Sequence, residues 1–259
     1  MKKHVFAFCC IASLPAVAGT MGEIAQPMPW FVSIGTGYSW TDKSGIVNPD
    51  PGFWDNASQG YDGDLSDEGF YSFAIGKQVH PYIDLSVSYF NNEDMDYQIF
   101  QTGASGTPGF TGSVRNRFFT LNNKSVLANI ILHNNTPYTA PWSLNVMPFI
   151  SGGIGAGYNK VNNFHTVGIV PLSATNIGST TSIGNETTRT SFAWQGSVGL
   201  NFQPVSSHLS ANIGYRYFSG GTFEGPDYVY TNSDGWSYGA PWKGTLTANQ
   251  LFVEFKYTA

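Results

Sequence analysis

Hydrophobic and polar side chains alternate along much of this chain, with a period of two rather than 3.6. Over residues 30–40, Trp30, Val32, Ile34, Tyr38 and Trp40 share one face, and Ser33, Gly35, Gly37 and Ser39 share the other. Residues 71–79 set Tyr71, Phe73, Ile75 and Val79 against Ser72, Ala74, Gly76 and Gln78. Residues 83–89 set Ile83, Leu85, Val87 and Tyr89 against Asp84, Ser86 and Ser88. The same rhythm returns over 188–202 (Phe192, Trp194, Val198, Leu200, Phe202 against Arg189, Ser191, Gln195, Ser197, Asn201) and over 209–217 (Leu209, Ala211, Ile213, Tyr215, Tyr217 against Ser210, Asn212, Gly214, Arg216). It closes the chain with Leu251, Val253, Phe255 and Tyr257 opposing Glu254 and Lys256. Each segment predicts a strand with one apolar face. Two more complete the set. Residues 117–133 have strand composition, with an alternation expected to slip at a bulge near Lys124-Ser125. Residues 147–158 are glycine-rich, with Ile150, Ile154 and Tyr158 on one face. Eight strands are predicted, and no amphipathic helix competes.

The connections decide what these strands build. Those at His80-Pro81 and at 203–207 are short, and that at 134–143 is intermediate. Those at 41–68, 91–116, 159–187 and 219–244 are long. Long loops at one end and short turns at the other suit an up-and-down barrel spanning a membrane. Strands of about 9–11 residues suffice for the crossing because they tilt. Loop material is then expected to dominate the chain. Residues 161–172 could add a hairpin to the wall, making ten strands, but are expected to rise above the membrane.

Composition settles which face points out. Charged residues are only 11% of the chain, against 41% hydrophobic and 15% aromatic. A soluble exterior would want roughly 25–35% charge, so the apolar faces are expected to meet lipid and the polar faces the lumen. Closure follows, because backbone polar groups in hydrocarbon must pair internally. The formal charge of -5 also argues against a nucleic-acid partner. At the N-terminus, Met1-Lys2-Lys3, an apolar stretch from His4 to Leu14 and Ala16-Val17-Ala18 read as a signal peptide over 1–18. A short segment, 19–28, would then lead into a barrel over 29–259. Both cysteines, Cys9 and Cys10, fall inside the leader, so thiol chemistry is not expected of the mature chain.

With the strand Lys124-Ser125-Val126-Leu127-Ala128-Asn129, the run from Pro148 to Tyr158 and the aromatic last strand, the chain resembles the eight-stranded outer-membrane β-barrel family. That family includes the opacity-type surface proteins and the OmpX and OmpA transmembrane domains. The resemblance implies an all-β, closed antiparallel barrel in the cell outer membrane, with long external loops, periplasmic turns and both termini periplasmic. It implies outer-membrane lipid, lipopolysaccharide and the assembly machinery as partners, and a monomer. Members usually end on a terminal aromatic residue, whereas here Tyr257 is followed by Thr258-Ala259.

Candidate chemistry is sparse. His208-Leu209-Ser210, with Glu224 downstream, has the spacing of a lipid-deacylating triad. The predicted topology, however, puts Glu224 a bilayer away from the other two. No cofactor or metal is expected, and the acidic stretch 62–68 lacks the glycine and the twelfth-position carboxylate of an EF-hand. With Glu93, Asp94 and Asp96 it would make an acidic outer rim. Asp84, Arg189, Arg216, Glu254 and Lys256 alternate inward and are expected to form one interior network, with Arg216 and Glu254 as partners across adjacent strands. Phe223, Tyr228, Tyr230, Trp236, Tyr238 and Trp242 mark the last long loop as a recognition surface for a host or glycan ligand, or as a self-packed aromatic patch. Trp30, Trp40, Trp142 and Tyr257 suit interfacial anchoring. Two function classes stay open: a non-enzymatic structural or adhesive surface protein, and a narrow pore. A lipid-modifying enzyme stands third.

Overall fold

The computed structural model describes residues 28–46, 54–55, 65–103, 114–134, 136–140, 143–170, 180–231, 235–239 and 241–259. The expected signal peptide, Trp142 and residues 62–64 of the acidic stretch lie outside them. Thirteen strands follow in order: β1 (Trp30–Thr41), β2 (Trp54–Asp55), β3 (Glu68–His80), β4 (Ile83–Gly103), β5 (Val114–His133), β6 (Tyr138–Ala140), β7 (Leu144–Val170), β8 (Thr180–Gly184), β9 (Thr187–Pro204), β10 (Leu209–Glu224), β11 (Tyr228–Thr231), β12 (Gly235–Tyr238) and β13 (Lys243–Thr258).

Eight of them form the wall. Antiparallel ladders join β1 to β3, β3 to β4, β4 to β5 and β5 to β7. They continue from β7 to β9, β9 to β10, β10 to β13 and β13 back to β1. The ring therefore closes with no free edge, as hydrocarbon demands. Lipid-level side chains that point outward are apolar and bare: Ile34, Ile154, Phe192 and Phe255 are each at least 60% exposed. Their inward neighbours are small, polar or aromatic. Such an exterior is stable only in an apolar solvent, so this is a bilayer-spanning barrel. Trp30, Trp40 and Tyr257 are exposed at strand ends, and Lys77 lies 5.3 Å over the Trp30 ring. Both fit an interfacial girdle.

Much of the material expected to be loop is strand. β4 and β7 run on to Gly103 and Val170, and β5 begins at Val114, so the wall continues far above the lipid belt. Residues 161–170 of β7 pair with β5 and β8 there rather than adding a ninth and tenth wall strand. The physical reason is an inversion of polarity. The β4–β5 register shifts between Asn92 and Met95, and the β5–β7 register between Phe118 and Thr120. Beyond these bulges Met95, Tyr97, Ile99, Phe119 and Leu121 are buried, while Glu93, Asp94 and Asp96 are exposed. An apolar-in wall surrounded by water replaces the apolar-out wall surrounded by lipid.

The slip expected in β5 at Lys124-Ser125 is absent: odd residues from Arg117 to Asn129 face inward without interruption, and the extra residue of the β5–β7 shift lies on β7, between Asn162 and His165. Through Lys124-Ser125 the alternation is regular, with Lys124 and Val126 outward and Ser125 and Leu127 inward. Above the belt, Leu65, Tyr97, Phe119, Phe164, Phe223, Trp242 and Leu246 form an apolar core that caps the lumen.

Orientation can be read from one substitution. Ile154→Arg should cost about 2–4 kcal/mol in lipid vesicles, measured as a fall in the urea unfolding midpoint. An unchanged midpoint would show that this bare face meets water.

Candidate functional site

The lumen is layered. At the end that holds the short turns and the C-terminus, Lys256 Nζ lies 2.7 Å from Asp84 Oδ2, and His133 Nε2 lies 3.2 Å from Asp84 Oδ1. The lysine also sits 3.9 Å over the Phe31 ring. Nearby, Asn212 Nδ2 donates to Glu254 (2.8 Å), and Asn201 Nδ2 donates to Asn212 Oδ1 (2.6 Å). These groups line a cavity of about 240 Å³ with Gln78, Gln203 and Ser210. One layer up, Gln195 Nε2 donates to Asn129 Oδ1 (2.6 Å), and Asn129 Nδ2 donates to Ser88 (2.8 Å). Gly153 makes room for this pair, since a Cβ there would fall 2.0 Å from Asn129 Oδ1.

Above them the lumen is shut. The Arg216 guanidinium lies 4.5 Å from the ring centres of Phe90 and Phe252 and 5.5 Å from that of Phe70. A cation buried against ring faces recovers from their quadrupoles part of what it loses in water. Arg216 Nη1 donates to Gln250 Oε1 (3.3 Å), Gln250 Nε2 to Asn92 Oδ1 (3.0 Å), Asn92 Nδ2 to Asn123 Oδ1 (3.0 Å) and Asn123 Nδ2 to Asn159 Oδ1 (2.7 Å). Asn159 Nδ2 ends the chain on the carbonyls of Gly220 and Thr222, at the bulge where β10 shifts register against β13. Each amide accepts from one neighbour and donates to the next, and the belt crosses the barrel.

The charges expected to form one network are therefore divided among three places. Asp84 and Lys256 pair at the short-turn end. Arg189 pairs with Glu224 at the opposite end, where Lys243 Nζ also lies 3.1 Å from Glu224. Arg216 and Glu254 are not partners: the register puts Arg216 opposite Gln250 and Glu254 opposite Asn212. In the cap, Arg117 is buried, 5.6 Å from the Trp242 ring and 5.8 Å from that of Phe164. Burial pulls its pKa down to about 10, which leaves it charged at neutral pH. The sequence reading missed Arg117 and the amide belt, because a lone Asn or Gln on an inward position carries no signal of its partner.

Six aromatic residues were expected in one recognition loop, and the fold separates them. Trp242 and Phe223 are buried in the cap, where Trp242 stacks 4.7 Å from Phe119. Tyr228, Tyr230, Trp236 and Tyr238 form a ladder on one face of the β11–β12 hairpin, which pairs through β8 onto β7. Tyr228 stacks on Trp236 at 4.7 Å and 15°, and Tyr238 is 80% exposed.

His208, Ser210 and Glu224 do not assemble a triad. His208 Nδ1 lies 2.9 Å from the Thr258 carbonyl, Ser210 lines the cavity at the short-turn end, and Glu224 is held by Arg189 at the far end. Among the described residues no three His, Cys, Asp or Glu gather as metal ligands.

The chain resembles solved outer-membrane β-barrels. Neisserial surface protein A is 11% identical over 88% of this chain and 96% of its own, with a TM-score of 0.48. OprG of Pseudomonas aeruginosa is 11% identical over 89% and 96%, with a TM-score of 0.47. Ail of Yersinia pestis, solved with the heparin analogue sucrose octasulfate, is 13% identical over 88% and 99%, with a TM-score of 0.35. No family model and no curated protein matches the chain. The fold stands on the strand pairings rather than on these likenesses.

Double-mutant cycles on unfolding separate the interior charges. Removing Asp84 alone should cost about 3–5 kcal/mol by stranding Lys256, with strong coupling in the Asp84→Asn, Lys256→Met cycle. The Arg216→Met, Glu254→Gln cycle should show weaker coupling, and the reverse ranking would overturn the register.

Proposed function

We propose that this chain is a non-enzymatic surface protein of the outer membrane, exported and assembled as a monomer, whose sealed barrel is a rigid scaffold for recognition above the bilayer. The sealed lumen carries this reading. An eight-stranded barrel is narrow enough for its own side chains to fill, and here the Arg216 cage, the amide belt and the apolar cap fill successive levels above the cavity beside Asp84. A conducting path would have to break all three.

What the scaffold presents is the aromatic ladder. Stacked, half-exposed rings with polar tips form a flat surface of low conformational entropy, suited to sugar rings or to an aromatic-rich partner. The hairpin that bears them continues the wall through β8, so the surface is held before any ligand arrives. That supports host-surface or glycan recognition over transport.

Two measurements decide between scaffold and pore. Purified protein in planar bilayers should give a flat baseline, and steady, reproducible openings would favour the pore. On glycan and host-matrix panels, joint Trp236→Ala and Tyr238→Ala replacement should cut binding by about tenfold or more, with folding preserved because both side chains point outward. Binding that survives the double replacement would remove the ladder from the function.

A further inference from the structure

Arg117 places a full charge inside the apolar cap. It is only 3% exposed, and its Nε and Nη1 have no hydrogen-bond partner among the described residues. The carboxylates that form ion pairs there are engaged elsewhere: Asp84 by Lys256 and His133, Glu186 by Lys160, and Glu224 by Arg189 and Lys243. Arg216, the other buried guanidinium of the barrel, at least donates to Gln250. Arg117 has the rings of Trp242 and Phe164, 5.6 and 5.8 Å from its centre, and ring faces return only part of the lost hydration.

Its neighbours supply donors rather than a counter-charge. The ladders set Arg117 opposite Thr166 of β7, and Thr166 opposite Ser182 of β8. Directly opposed residues share a face of a sheet, and all three are buried. A row of one guanidinium and two hydroxyls therefore crosses three strands at one height, with the hydroxyls of Thr166 and Ser182 2.5 Å apart. The indole in contact with Arg117 adds a further buried donor, because Trp242 Nε1 also has no partner among the described residues. Buried donors left unmade are costly and rare. Water could satisfy these N–H groups, but it would not cancel the charge.

We propose that the cap binds one small monovalent anion from solution, held by Arg117 and the Trp242 indole N–H. A single negative charge cancels that of Arg117, and its lone pairs accept from donors that no protein oxygen serves. Entry strips the ion of water, at a cost that rises with its charge and with the strength of its hydration. Walls made by Phe119, Phe164 and Trp242 return nothing to a second charge. The site therefore takes bromide and chloride ahead of fluoride, and rejects sulfate. Once bound, the ion braces β5 against the segment that carries Trp242. This site lies inside the barrel, apart from the aromatic ladder, and does not depend on what the ladder recognises.

The test follows urea unfolding of the full mature protein in phosphatidylcholine vesicles as bromide, chloride or fluoride replaces sulfate at constant ionic strength. An anion bound only by the folded state lowers the unfolding constant about tenfold for each tenfold rise in its concentration above the dissociation constant. Measured against Arg117→Met, which cancels general salt effects, wild type should show that slope in bromide and chloride. Arg117→Lys should restore it in part. Trp242→Phe keeps a ring in place and should raise the bromide required by about tenfold, the worth of one hydrogen bond to a charged group. It also keeps the test decisive should Arg117→Met fail to fold, which a heat-dependent gel shift reports. Crystals grown in bromide should show an anomalous peak within hydrogen-bond reach of Arg117. An equal response of wild type and Arg117→Met overturns the proposal, since the cap then holds water alone or an adventitious ion only. An unchanged bromide requirement in Trp242→Phe overturns the role of the indole. A slope that appears only after joint Asp62→Asn and Asp64→Asn replacement overturns the free anion, because carboxylates of the chain next to Leu65 then supply the counter-charge.

Discussion

A narrow barrel in a bilayer must satisfy polar groups on its inside with almost no water to help, and the amide belt is how this chain does it. Gln250, Asn92, Asn123 and Asn159 come from β13, β4, β5 and β7; β4, β5 and β7 are successive neighbours in the wall, while β13 is separated from β4 by β1 and β3. Their hydrogen bonds cross the lumen and fix the register of four strands at one height. Unmade, each buried amide would cost about 1–3 kcal/mol, so the belt is stable only when complete. Completeness also makes it a seal. Asn159 then reaches the carbonyls of Gly220 and Thr222, which the β9–β10 ladder no longer serves above Ser219. The belt therefore also satisfies backbone groups at the β10 bulge.

Just above the belt the barrel changes solvent. In lipid the wall puts aromatic and aliphatic groups outside; in water it puts them inside, and the bulges in β4 and β7 allow one strand to do both. Without the shift between Asn92 and Met95, the period of two would keep Met95, Tyr97 and Ile99 on the outer face. With it, they meet Phe119, Phe223 and Trp242 in a core that closes the barrel from above. The cap thus follows from the same alternation that builds the membrane segment, displaced by a local irregularity. Above the lipid belt β8 and β11 extend that wall as sheet through their pairing onto β7.

How legible this was depends on the partner each residue needs. The eight wall strands could be read because their partner is a solvent: Ile34 or Phe255 signals lipid by itself, whatever lies beside it. The inward placement of Asp84, Arg216 and Lys256 followed from the same period. Pairing did not, because it depends on register. Arg216 and Glu254 lie on adjacent strands yet face Gln250 and Asn212, and no pattern within either strand reveals that offset. The extension of the wall above the lipid belt was hidden for a different cause. Its apolar residues face inward and its charges outward, so a search for apolar-out strands meets Glu93-Asp94 and reads a loop. Trp242 was misplaced in the same way, since an aromatic residue beside Gly and Pro looks the same in sequence whether it recognises a ligand or fills a cap.

Sealing and recognition are linked through rigidity. A ladder of exposed rings binds well only if the rings are ordered before the ligand arrives, because ordering them at binding would consume part of the affinity. Tyr228 and Trp236 sit on a hairpin held by β8, β8 is held by β7, and β7 is held over its length by β5 and β9. On the opposite face of the hairpin, Val229 packs against the apolar cap. An open lumen would remove the cap, and with it the support under Val229 that orients the ladder. The same side chains that fill the lumen therefore hold the aromatic ladder in place, and a wide pore could not present this ladder in the same rigid form.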